Sequence, residues 1–156
     1  MSYRIYLDVC CLNRPFDDWS QPRIRLEAEA ILAIIDQCQA SNWTLISSTA
    51  LETEISRTPD PTKKQRTSDS LSLASHRVIV TEDILNRAKT LQNLSLKSFD
   101  ALHIACAEAA NADVFLTTDD RLLRKAKANQ SILNVLAASP ITWFMTVTNS
   151  PGDPEQ

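Results

Sequence analysis

Glycine is almost missing from this sequence: its 156 residues include one. Glycine-rich phosphate loops of the Walker and Rossmann types need several, so both are excluded. Histidine is scarce too, with two, and the four cysteines (Cys10, Cys11, Cys38 and Cys106) show no C-x-x-C spacing. That pattern argues against a zinc framework and for buried free thiols in a reducing cytoplasm. No apolar run is long enough to span a bilayer, and the N-terminus leads into a strand rather than a signal peptide. A cytoplasmic protein with no membrane partner is expected. A net charge of −3 lacks the basic excess of a general nucleic-acid binder. It does not forbid a basic rim around an acidic pocket.

What is present suits one soluble domain, with 44% apolar and 22% charged residues. Tyr3–Val9 reads as a buried first strand with Asp8 at its end, followed by a loop broken by Pro15 and Pro22. Arg23–Gln39 is an amphipathic helix whose Arg and Glu residues form a solvated face. A short strand at Thr44–Ser47 precedes a helix capped by Ser47 or Ser48. A polar helix covers Thr62–Ser75, a strand is expected near Arg77–Val80, and Thr81 caps a helix over Asp83–Leu94. Ser98 caps the next helix, Asp113–Thr117 is a strand, and Thr117 or Thr118 caps a basic helix from Asp119. Ile132–Leu136 is the expected last strand. Strands alternating with helices predict an α/β fold of three α/β/α layers around a mostly parallel sheet of about five strands. The domain is expected over residues 1–147, with 148–156 a disordered tail.

Four acids fall at the punctuation points of this pattern. Asp8 and Asp119 follow strands, Asp100 lies in the first turn of a helix, and the helix after Thr44–Ser47 carries Glu52 and Glu54. Those two point in nearly opposite directions at 100° per residue, and Glu54 shares the side of Ala50 and Leu51. Glu54 is therefore the expected inward acid, with Glu52 the other candidate. His103 reads as a core or supporting histidine rather than a ligand. A parallel sheet can gather such acids at one edge, where they repel one another unless divalent cations join them. Oxygen-only ligation selects a hard ion, Mg²⁺ or Mn²⁺, and hard ions on carboxylates suit phosphodiester hydrolysis.

LDVCCLNRPF, the S-x-x-x-x-x-E run from Ser48 to Glu54, FDALHIACA and FLTTDDRLL resemble the four motifs of PIN domains, which include VapC-type toxin ribonucleases. The resemblance extends to about Phe144. It implies a flavodoxin-like parallel sheet and Mg²⁺- or Mn²⁺-dependent endonucleolytic cleavage of single-stranded RNA or tRNA. It also implies Asp8, Glu54, Asp100 and Asp119 as the catalytic acids, with Asp8, Asp100 and Asp119 on the metal. Thr117, Asp120 and Glu52 are expected to orient or support them, and Asn13 and Arg14 to contact RNA. The residue after Asp8 is Val9, where many members carry a small hydroxyl. Family members that are toxins pair with an antitoxin protein in type II systems, and homodimers are common. The rival of another class is a non-catalytic PIN-fold module that binds RNA or protein. A haloacid-dehalogenase-like phosphatase would need an acid at position 10, which is cysteine, and a receiver domain would need its acid pair in the other half of the chain.

Overall fold

Strands and helices alternate along the computed structural model, which describes residues 2–149. The strands are β1 (Arg4–Leu7), β2 (Thr44–Ser48), β3 (His76–Val78), β4 (Val114–Leu116) and β5 (Leu136–Ala138). The helices are α1 (Val9–Asn13), α2 (Pro22–Gln39), α3 (Thr49–Ser56), α4 (Pro61–Leu71), α5 (Glu82–Gln92), α6 (Ser98–Ala109), α7 (Asp120–Ala128) and α8 (Pro140–Thr148). A 3₁₀ turn at Arg14–Phe16 follows α1. The tail expected from Thr148 falls, past Asn149, outside the described residues, and Thr148 itself closes α8.

All five strands pair in parallel in the order β3-β2-β1-β4-β5, as the expected α/β/α sandwich requires. β1, β2 and β4 are almost wholly buried, because strands covered on both faces by helices leave little side chain for water. Tyr6 and Phe115, paired in register across β1 and β4, are both fully buried. The chain leaves β1 for β2 on one side and returns to β4 on the other. The crevice beyond the C-terminal ends of β1 and β4 is thus the topological switch point, where open α/β sheets bind ligands.

The first strand is shorter than expected, and the expected loop after it is helical. Asp8 stops the strand by accepting the Val9 N–H on its own carboxylate at 2.9 Å, and α1 starts there. Burial of Cys11 and Leu12 then holds a helix of five residues that local propensity would not sustain. The last strand lies two residues or more further on than expected. Ile132 belongs to the preceding turn, while Ala137 and Ala138 pair with Phe115 and Leu116. Small size rather than strand propensity suits them to that edge. Ser98 is the first residue of α6 and not its cap, which is Lys97, and α7 is capped by Asp119 rather than a threonine.

With glycine nearly absent, other residues take the left-handed positions that end helices. Ser41 (φ 64°), Ser95 (φ 66°) and Asn111 (φ 54°) do so after α2, α5 and α6. At Ser41 the Asn42 N–H reaches the Gln37 carbonyl, and the Ser41 N–H reaches that of Cys38, a Schellman arrangement. A non-glycine residue there costs roughly 1–2 kcal/mol, partly offset by glycine's greater freedom when unfolded. Ser41→Gly is therefore expected to stabilise the protein by about 0.5 kcal/mol. Asn111→Gly should gain less, since asparagine tolerates this conformation. Urea midpoints for the two variants test this, and a lower midpoint for Ser41→Gly would show that the serine bears no strain.

Beneath the opposite, N-terminal end of the sheet, α8 docks through aromatic edges. Trp143 is buried with its ring 5.3 Å from Tyr3 and 5.4 Å from Trp43, each in edge-to-face contact.

Candidate active site

Asp8 anchors the crevice. It is 7% exposed, and each oxygen has a partner: Oδ1 accepts from the Val9 N–H, and Oδ2 accepts from the Thr117 hydroxyl at 2.9 Å. The Cys10 thiol also approaches Oδ2, at 3.4 Å. Thr117 lies just past β4 and in turn accepts the Asp119 N–H at 3.1 Å. A hydroxyl thus reaches Asp8 from β4, although the residue after Asp8 is valine. Burial pushes the Asp8 carboxyl well above the ordinary carboxylate range, the adjacent Cys10 sulfur adds to that, and Asp100 follows behind it.

Glu54 reaches the same point from α3. Ser48 ends β2 and caps α3 by accepting the Leu51 N–H at 3.0 Å. From that start, Glu54 projects back over the sheet to His103 Nε2 at 2.6 Å. Glu54 offers only acceptor atoms when ionised, so Nε2 carries the hydrogen. His103 is fully buried, and its Nδ1 lies 2.8 Å from the Tyr6 hydroxyl, which also bonds Ser48 Oγ at 2.7 Å. Burial drives the Tyr6 phenol far above its usual pKa, so it remains a neutral hydroxyl. Three elements, β1, β2 and α6, therefore lock the imidazole that holds Glu54. Ligand atoms of Asp8, Glu54 and His103 all lie within 4.8 Å of one another, a spacing that one metal ion can bridge.

Asp100 and Asp119 border this group from α6 and the start of α7. They share a small cavity with Lys97, Arg121 and Lys125. Partial burial raises the Asp100 carboxyl from its ordinary value, with repulsion from Asp119 next and from Glu54 behind it. Asp119 also caps α7, accepting the Arg121 and Leu122 N–H groups on Oδ1. Asp8 and Glu54 thus meet at His103, Asp100 is close enough to repel both of them and Asp119, and three cations line the cavity beside Asp100 and Asp119.

The supporting residues divide differently. Glu52 does not face the acids. It points the other way round α3 and grips Arg77 of β3 with two 2.8 Å bonds, which lower its pKa. That pair borders a separate cleft of about 470 Å³ at the β3 edge that none of the four acids lines. Asp120 is exposed and doubly bonded to Arg23 at 2.8 Å. Asn13 accepts from the Thr67 hydroxyl, and Arg14 engages Asp17, Thr118 and Glu27, so both have partners inside the fold.

Two features escaped sequence reasoning. Glu27, expected on a solvated face, is 2% exposed and lies between Arg14 at 3.1 Å and Arg23 at 3.2 Å. Through Arg23 and Asp120 this buried charge ties α2 to the first turn of α7. The second is the Tyr6–His103 link. Its only trace in the sequence is the three-residue spacing from Asp100 to His103, one helical turn.

Residues 5–128 match the family model described as PIN domain. No curated protein matches the chain. Domains of this family are typically nucleases that bind nucleic acid and use divalent metal ions. No helix among the described residues is long and apolar enough to cross a membrane.

Proposed function

The chain belongs to the PIN domain family, and from that premise we propose that it is a metal-dependent endoribonuclease acting on single-stranded RNA or tRNA. The observation that carries this reading is the convergence of Asp8, Glu54, Asp100 and Asp119 on the switch-point crevice. Carboxyls raised by burial and by one another are unfavourable in a metal-free protein. A site that keeps them at that cost fits a divalent cation, Mg²⁺ or Mn²⁺, on Asp8, Asp100 and Asp119. When bound, the cation supplies charge neutralisation at the phosphate and lowers the pKa of water. Glu54, held at Nε2 of His103, is placed to orient an attacking water or accept its proton. Thr117 fixes the rotamer of Asp8. Lys97, Arg121 and Lys125 on the rim suit an RNA backbone.

Within the family we assign the chain to the VapC-like toxins of type II pairs. It would then act in the cytoplasm as a homodimer controlled by an antitoxin protein. The domain would run at least to the end of α8 at Thr148.

Calorimetry with Mn²⁺ in metal-free buffer tests the site, and cleavage of a generic single-stranded RNA with and without EDTA tests the activity. Wild type is expected to bind Mn²⁺ and to cut RNA only when EDTA is absent. Mn²⁺ binding without any cleavage would favour the non-catalytic binding module.

A further inference from the structure

Beside the acids, between α3 and α6, lies a mostly apolar pocket of about 310 Å³. Its walls include Ala50, Thr53, Val80, Phe99 and Leu102, with Arg57 at one side. The volume sits at the lower end of small-ligand cavities, roughly 300–1,000 Å³. The pocket is built onto the active site. Phe99 directly precedes Asp100, and its ring stacks on His103 at 5.8 Å and 22°. Arg57 lies one turn beyond Glu54, and its guanidinium sits 5.3 Å over the Phe99 ring. The other face of Phe99 is thus held by the imidazole that positions Glu54.

Arg57, like Arg66 over Phe16, differs from the arginines that pair with carboxylates. Arg14, Arg23, Arg77 and Arg87 have carboxylate partners at 3.2 Å or less. The Arg57 side chain has, among the described residues, its ring contact alone. An unmatched cation next to an apolar slot and a phosphodiester-cleaving centre is complementary to one nucleotide. Every base has an apolar face to bury, and every nucleotide carries a phosphate for a guanidinium.

Resting on the ribonuclease reading above, we propose that this pocket is a nucleotide subsite. It takes one unstacked base of the single-stranded RNA against Val80, Leu102 and the edge of the Phe99 ring, while Arg57 binds the adjoining phosphate. The subsite fixes which phosphodiester lies at the acids, so it governs cleavage position as well as affinity. Duplex RNA, whose bases are stacked and paired, cannot fill it.

The test uses the full chain with Arg57→Ala, and with Thr53→Trp to fill the pocket from an exposed position on α3. Steady-state cleavage in Mn²⁺ is expected to show KM raised roughly tenfold in each variant, with kcat within about twofold. Binding is read separately in EDTA, with a short single-stranded RNA carrying one 2-aminopurine. Wild type should brighten its fluorescence by drawing the base out of the RNA stack, and Thr53→Trp should not. Arg57→Ala should lower the slope of log affinity against log salt by about 0.7. KM, fluorescence response and salt slope in both variants equal to wild type, with wild type cutting RNA, overturns the subsite and leaves the ribonuclease standing. A change in sedimentation mass with RNA binding unaltered assigns the pocket to a protein contact and also overturns it. Wild type that neither binds nor cuts RNA overturns both readings.

Discussion

Asp100→Asn is expected to remove metal-dependent RNA cleavage by a factor on the order of 10² or more, the scale of losing one preorganised electrostatic group. The same change is expected to leave the fold intact and to make the metal-free protein slightly more stable. Two effects compete in that second expectation. A carboxylate in the first turn of α6 is favoured by the helix dipole, and burial plus repulsion from Asp119 disfavour it. The raised pKa of Asp100 gives the sign, because the surroundings as a whole resist its ionisation. Neutral asparagine relieves that by roughly 0.5 kcal/mol once solvent screening is allowed for.

Linkage then sets the pH dependence. Asp8 and Asp100 both have folded pKa values above the ordinary value of an aspartate, chiefly because burial disfavours the charged form. Their favourable contribution is complete below the ordinary, unfolded value and is lost as pH rises through the raised folded values. Glu52 and Asp120, lowered by Arg77 and Arg23, act in the opposite sense and lose their contribution as pH falls. Cys10, whose thiol is drawn down to about 5 by bonds from Cys11, Thr117 and Thr118, acts in that sense too. Lowering the pH from neutrality towards the ordinary carboxylate range should therefore narrow the stability advantage of metal-free Asp100→Asn over wild type. Added Mn²⁺ should stabilise wild type more at pH 7 than at pH 5, because the ligands must be deprotonated. Parallel pH profiles for wild type and Asp100→Asn would remove Asp100 from the electrostatics of the site.

The acids were legible in the sequence because each stands at a boundary where the pattern changes period: Asp8 after a strand, Asp100 at a helix start, Asp119 at the next. The choice of Glu54 over Glu52 came from helix geometry, and the structure places only Glu54 against His103. What was hidden depends on packing across the chain. The helix after Asp8 exists because Cys11 and Leu12 find the core, a tertiary effect that overrides a weak local signal. The Ala137–Ala138 strand has no strand-forming residue to announce it and is defined by its pairing with β4. Glu27 is buried because Arg14 and Arg23 converge on it, and nothing in the spacing of residues 14, 23 and 27 says that the first is adjacent. His103 was expected to support the core. That it also bridges Tyr6 to Glu54, residues 48 positions apart in the sequence, became visible only when the sheet brought them together.

That bridge carries the second large effect. His103→Phe keeps the ring volume but deletes both hydrogen bonds. Tyr6 retains Ser48, and Glu54 is exposed enough to turn to water, so neither group is left wholly unpaired. The stability loss should accordingly be about 1–2 kcal/mol, less than for a fully orphaned buried pair. Activity should fall further, with kcat down roughly 10²-fold, as expected for a catalytic group misplaced by about 1 Å. Glu54→Gln should do the reverse. A glutamine carbonyl still accepts from Nε2, so stability holds within about 0.5 kcal/mol while cleavage is lost. If His103 acts only by holding Glu54, the double variant is no slower than Glu54→Gln alone. Multiplying losses would mean that the imidazole has a separate task. Tyr6→Phe then decides what that task is, because it frees Nδ1 without touching Glu54. Mn²⁺ affinity unchanged in Tyr6→Phe but lost in His103→Phe would make His103 itself a metal ligand, with Nε2 turned from Glu54 to the ion. Mn²⁺ affinity kept in both leaves His103 as the residue that aims Glu54, and its loss of rate is then a measure of how tightly that carboxylate must be aimed.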